Sequence, residues 1–177
     1  MEERSKAGGV FKVVCRDSEG QIKWTAETPN LVVNGGLQDM NTKYFTGTSY
    51  TATWYIGLYG SGATNTPNAG DTMGSHGAAG SGGWTEITNY SQATRPQCTF
   101  GTATTADPSV ISNAVSPASY SINASVTVGG AFLVSDNTKG GSTGVLFSAA
   151  DFQSPGDRVV VNGDTLSVTY TFSLDAA

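Results

Sequence analysis

Charge is what this chain has least of. Charged residues make up 13% of it, about half the ~25% of an average soluble domain. Between Lys43 and Asp136 only Asp71, Glu86, Arg95 and Asp107 carry charge. A net charge of −5 excludes the basic footprint that non-specific nucleic-acid binding needs. Histidine is nearly absent: His76 is the single one, so a histidine-based triad or a histidine metal site has one residue to draw on. Two cysteines, Cys15 and Cys98, stand far apart. Cys15 alternates with Phe11 and Val13, which marks it as a small buried hydrophobe rather than half of a disulfide. No run approaches the ~20 apolar residues of a membrane span. The first residues, Met-Glu-Glu-Arg-Ser-Lys, hold no apolar stretch of the kind that forms a secretory signal. No glycine-rich phosphate loop stands between a strand and a helix.

What is present is β-structure. Residues 165–174 alternate without error: Leu166, Val168, Tyr170, Phe172 and Leu174 are apolar, and every odd position is Ser or Thr. Successive strand side chains point to opposite faces, so this is a strand with one dry face and one uncharged hydroxyl face. Phe11, Val13 and Cys15 share one face of another strand. Asp17-Ser-Glu-Gly20 is a turn with glycine placed for positive φ, and Ile22 and Trp24 resume the alternation. The second strand of this hairpin runs toward Val33 and is interrupted at Pro29, which cannot donate to a central ladder. Residues 34–45 form the single expected helix, with Asn34 as cap and Leu37, Met40, Tyr44 and Phe45 at helical spacing. Further strands are expected at 51–59, 84–90, 97–104, 109–115, 120–135, 143–148 and 158–174, the last breaking at Asn162-Gly163.

Residues 60–83 differ from the rest. They contain eight glycines, with Met73 as the one large apolar side chain, too little to offset the ordering entropy of the segment. The organisation expected is an extended arm, residues 1–9, and one domain, residues 10–177. That domain is all-β: an antiparallel sandwich of jelly-roll type with one short helix and a long Gly-rich loop at 60–83.

Chemistry is sparse. Glu86 is the only glutamate after Glu27 and Arg95 the only cation between Lys43 and Lys139. They are expected to form a structural ion pair, with Asp71 the second choice of partner. The rival role for Glu86 is one carboxylate of a glycosidase pair. Trp24 and Trp54 lie in phase with apolar neighbours and read as core, whereas Trp84 follows the Gly-rich loop and is free to meet a ligand or partner. No metal, catalytic group or cofactor is expected.

The order of several short motifs resembles that of small virion structural proteins of tailed bacteriophages, head decoration (cement) proteins in particular. These motifs are Val-Val-Cys-Arg-Asp with Gly-Gln-Ile-Lys-Trp at 13–24, Pro-Asn-Leu-Val-Val-Asn-Gly-Gly-Leu at 29–37 and Trp-Tyr-Ile-Gly-Leu at 54–58. They continue with Asp-Thr-Met-Gly-Ser-His at 71–76, Trp-Thr-Glu to Arg-Pro at 84–96, Gly-Ala-Phe-Leu-Val-Ser at 130–135 and Gly-Asp-Thr-Leu-Ser-Val-Thr-Tyr-Thr-Phe at 163–172. The resemblance implies a jelly-roll-like fold, no enzymatic activity and a place on the capsid exterior after synthesis in a host bacterial cytoplasm. Its partners would be the major capsid protein and sister copies in a dimer or trimer, with no nucleic acid and no membrane. Glu2, Glu3, Arg4, Met73, His76 and Trp84 are the expected contact residues. A tail-associated or receptor- and glycan-binding β module is the alternative.

Overall fold

The computed structural model describes residues 6–47, 50, 53–60, 66–75, 84–152 and 156–176. Among the described residues, eleven strands, all paired antiparallel, form two sheets, with one α-helix, α1, and a short 3-10 turn at Met73–Ser75. The strands are β1 (Lys6–Arg16), β2 (Ile22–Pro29), β3 (Leu31–Val32), β4 (Trp54–Gly60), β5 (Gln97–Cys98) and β6 (Ser109–Ser112). After these come β7 (Ala118–Ser121), β8 (Val126–Val134), β9 (Leu146–Asp151), β10 (Arg158–Val160) and β11 (Thr165–Asp175). The first sheet runs β2-β1-β11-β6, with β7 also on β11. The second runs β3-β9-β8-β4-β5, with β10 also on β8. This is an all-β antiparallel sandwich.

β11 carries out its pattern. Leu166, Val168, Tyr170 and Phe172 are buried between the sheets and the hydroxyl positions are half-buried. Leu174 departs from the pattern and is exposed. The β1–β2 turn also forms as its residues dictate. Asp17 Oδ1 accepts the Glu19 and Gln21 amides, and Gly20 adopts φ 83°. The chain leaves the first sheet at Pro29 and re-enters as β3 in the second. The break at Asn162-Gly163 falls where the sequence puts it, with Gly163 at φ 93°.

Three expectations need correction. Residues 6–9 are not an arm: they belong to β1 and pair with residues 172–175 of β11. Gly9 serves close approach rather than flexibility, since a Cβ there would lie 2.4 Å from the Thr171 carbonyl oxygen. Residues 1–5, and with them Glu2, Glu3 and Arg4, lie outside the described residues.

α1 (Asn34–Thr46) forms, but Val33 rather than Asn34 takes the cap position, with no side-chain cap bond. Its buried residue is Gly36, which lets the helix backbone rest on Phe147. Tyr44 and Phe45 are exposed, not inward.

The expected strands at 84–90 and 97–104 shrink to isolated bridges at Glu86 and Tyr90 and to the two residues of β5. Pro96 is one cause. The Ile56 amide donates to the Pro96 carbonyl (3.0 Å), so a ladder would have the residue at 96 return an N–H to Ile56. Proline has none, and the buried Tyr120 hydroxyl donates to the Ile56 carbonyl instead, at 2.6 Å. Tyr120→Phe leaves that carbonyl unpaired in the core. A loss of ~1–3 kcal/mol, read from urea unfolding at unchanged m-value, is expected.

Over most of β4, β8 and β9 the second sheet is buried on both faces. Ile56, Leu58 and Leu133 join the core between the sheets, while Tyr55, Tyr59, Phe132 and Val134 face a second cluster with Val33, Met73, Trp84 and Leu146. Two glycines make room for rings on that outer face. Gly57 lies opposite Phe132 and Gly130 opposite Tyr59 across the β4–β8 ladder. A Cβ at either position would sit 2.0 Å from the facing ring.

Candidate functional site

The Glu86–Arg95 pair exists and is fully engaged. Arg95 Nε donates to Glu86 Oε1 (2.9 Å) and Nη2 to Oε2 (2.7 Å), a bidentate arrangement that guanidinium geometry favours. Nη1 also donates to the Asp136 carbonyl (2.8 Å) and Nη2 to the Gly141 carbonyl (2.6 Å). Glu86 Oε2 accepts the Gly140 amide (2.9 Å). The Arg95 side chain is inaccessible, and its guanidinium carbon lies 5.3 Å from the centre of the Phe132 ring. Asp71 is not its partner; it accepts the Asn68 amide (2.7 Å) in its own turn. Asp136 stands close by, its Oδ1 3.9 Å from Arg95 Nη1. The Thr138 amide above all, with the Thr138 and Thr143 side chains and Arg95, holds the Asp136 carboxyl below its ordinary range.

A second cation closes the structure from the other side. Lys139 Nζ donates to the Tyr90 (3.0 Å) and Gln92 (2.7 Å) carbonyls and sits 4.4 Å from the centre of the Tyr90 ring. Arg95 thus reaches from residues 84–96 into residues 136–144, and Lys139 reaches back. The result is a two-cation clamp that fixes both segments at the second sheet. Both Glu86 oxygens accept from the guanidinium. The geometry supports the structural role of this pair.

Met73 and Trp84, expected at a partner contact, are buried at 3% and 2% exposure. Trp84 stacks on Tyr59 with ring centres 4.3 Å apart and lies 5.8 Å from Phe132. They build the outer core layer. His76 lies outside the described residues. Trp54 packs edge-on against Phe147 (5.3 Å) as core, and Trp24 is half-buried against the same cluster. Cys15 and Cys98 are buried and unpaired. Burial, reinforced by Asp164, pushes the Cys15 thiol up to about 11, and burial pushes Cys98 up to about 12, so neither is a ready nucleophile. Among the described residues no three His, Cys, Asp or Glu side chains converge as a metal site.

Asp164 is a second buried carboxylate. It accepts Lys23 Nζ (2.6 Å) and the Val161 amide (2.9 Å), with Cys15 Sγ at 3.8 Å. Burial works to raise its pKa, but Lys23 and the Val161 amide outweigh burial and hold the carboxyl below its ordinary range. A depressed folded-state pKa stabilises the protein above the unfolded value of about 3.9, and that contribution is lost as pH falls through the folded value. Asp164→Asn is therefore expected to flatten the fall in Tm with acidification below about pH 5, followed by circular dichroism. Asp136, also held below its ordinary range, contributes to the slope that remains. An unchanged acid limb in Asp164→Asn removes the ion pair from the account.

A concavity named by no sequence motif lies beside α1 and β5. It is a cleft of about 690 Å³, within the range of ligand-binding pockets. Trp54, Phe100, Phe147 and Phe172 wall it, and Leu133 and Tyr170 reach it from the core. The last turns of α1 and Tyr50 form its rim. Tyr44 and Tyr50 are 82% and 69% exposed there, and Phe45 (77%) packs edge-on against Tyr44 at 4.9 Å. The adjacent pair Tyr44-Phe45 carried the available signal: two neighbouring aromatics on a helix of one and the same buried stripe lie about 100° apart, so both cannot point squarely into it.

Compared with known protein families, curated proteins and solved structures, the chain matches none of them.

Proposed function

We propose that this protein is a non-enzymatic structural component of a tailed-phage virion, a decoration protein that binds the outside of the head and bridges neighbouring capsid subunits. The jelly-roll connectivity implied by the sequence resemblance belongs to this reading. The observation that carries it is an aromatic rim, Tyr44, Phe45 and Tyr50, exposed beside an apolar cleft in a stretch of chain almost without charge. Aromatic enrichment with charge depletion is the composition of a protein-binding surface. The two-cation clamp supplies the rigidity that a cement needs. Attachment at many lattice points gives avidity without strong single contacts.

The test is direct. Purified protein is added to heads assembled without it, and the heads are sedimented and heated. Co-sedimentation at a fixed ratio per capsid subunit and a higher disruption temperature are the expected results. Heads that neither bind it nor gain heat resistance overturn the proposal. Binding to a glycan array with no binding to heads transfers the protein to the receptor-binding alternative.

A further inference from the structure

The geometry points to β5 and the adjoining cleft as a docking site for an extended apolar segment of a separate partner protein, which adds a strand at β5 and lays alternate side chains into the cleft. Backbone hydrogen bonding carries the argument. The Ile56 amide bonds the Pro96 carbonyl, so Trp54 and Cys98, the next-but-one pair along this antiparallel ladder, also face each other as bonded neighbours. The residues between, Gln97 and by the same alternation Thr99, turn their N–H and C=O groups away from β4. Both are exposed, both line the cleft, and neither has a backbone partner on that side among the described residues. Two sets of outward groups two residues apart are the template that strand addition uses.

The cleft says what the strand carries. Its walls are aromatic and aliphatic, and its only charged lining groups are Asp39 and Lys43, of opposite sign. A segment with uncharged apolar side chains at every second position fits both the walls and the strand period. A net charge of −5 and a single lysine at the rim argue against an anionic membrane surface. A small apolar molecule would fill the cleft and leave the Gln97 and Thr99 backbone groups unused. Nothing here depends on the virion reading: the segment can belong to a capsid subunit or to any other chain.

The probe is a displayed library of random dodecapeptides panned on the whole protein. Enriched sequences are expected to be apolar at alternate positions. Their affinity is expected to fall about tenfold or more in Thr99→Pro, which removes an outward donor without touching the β4 ladder. Tyr44→Ser with Tyr50→Ser leaves the backbone intact and is expected to weaken the same peptides, which decides the matter if Thr99→Pro fails to fold. No enrichment, enriched peptides without the alternation, or affinity unchanged in the variants overturns the assignment. Self-association of the wild type that Thr99→Pro abolishes makes the occupant a second copy and overturns the assignment to a separate chain.

Discussion

Val168→Asp is expected to yield no folded protein. Val168 is fully buried at the centre of the first sheet, opposite Val13 on β1 and Ala118 on β7. Both residues paired with it are apolar, and it belongs to a buried hydrophobic cluster with Phe11, Leu166 and Tyr170. An unpaired carboxyl there loses hydration with no return, at a cost of several kcal/mol whether it stays charged or takes up a proton. The loss of the valine side chain from the core adds ~1.5–3 kcal/mol. Against a whole-domain stability of about 5–15 kcal/mol, that leaves little or nothing. The neighbouring change Thr169→Asp supplies the control. Thr169 is half-buried on the hydroxyl face, directly across from Lys12, so the new carboxylate meets an ammonium and water. Soluble yield and a cooperative melt are expected for Thr169→Asp and not for Val168→Asp. The reverse order, or two normal melts, means that the strand register is wrong.

The second large effect is expected in the clamp. Arg95→Gln leaves Glu86, with 10% of its side chain exposed, facing the vacated space, and strips donors from the Asp136 and Gly141 carbonyls. Glu86→Gln leaves an inaccessible guanidinium without its counter-charge. Removing one member of a buried pair costs about 3–5 kcal/mol, and each single variant is expected to lose that much in denaturant unfolding. The double variant Glu86→Gln, Arg95→Gln is expected to lose clearly less than the two singles together, since neither charge is then stranded. Strict additivity would show that the two side chains do not act as a pair. A Glu86→Gln variant of full stability that had lost a glycan-cleaving activity would return Glu86 to catalysis.

Legibility from the sequence followed the number of wet faces an element has. β11 and β1 each present one face to the core and one to solvent, so their period of two is plain in Leu166 to Phe172 and in Phe11 to Cys15. The second sheet has no wet face over much of its width. From Val128 to Val134, β8 is buried at every residue, and a strand packed on both sides carries no alternation to read. The outer core layer stayed hidden for the same reason. Trp84 and Met73 have no periodic neighbours, and next to glycine-rich sequence they look like contact residues rather than the lid of a second cluster. The Glu86–Arg95 pair was legible because so few charges compete for each other in that stretch. Lys139 was not, because its partners are main-chain carbonyls, which any residue could supply. The cleft was invisible because its walls come from β4, β8, β9, β11 and α1 at once.

The place of β11 has a consequence for how the chain is made. The strand latest in sequence is an inner one of the first sheet, with β1 on one side and β6 and β7 on the other. On the ribosome, β1 and β2 can pair as a hairpin, but that sheet has no centre until residues 165–175 emerge. Until then the inner edge of β1 waits open for more than a hundred residues of synthesis, at about 5–20 residues per second, with Phe11, Val13 and Cys15 uncovered beside it. Nascent chains crowded on one message are therefore most prone to stick to one another through β1, and a chain stalled before Thr165 is a more hazardous product than one stalled before β1 is complete.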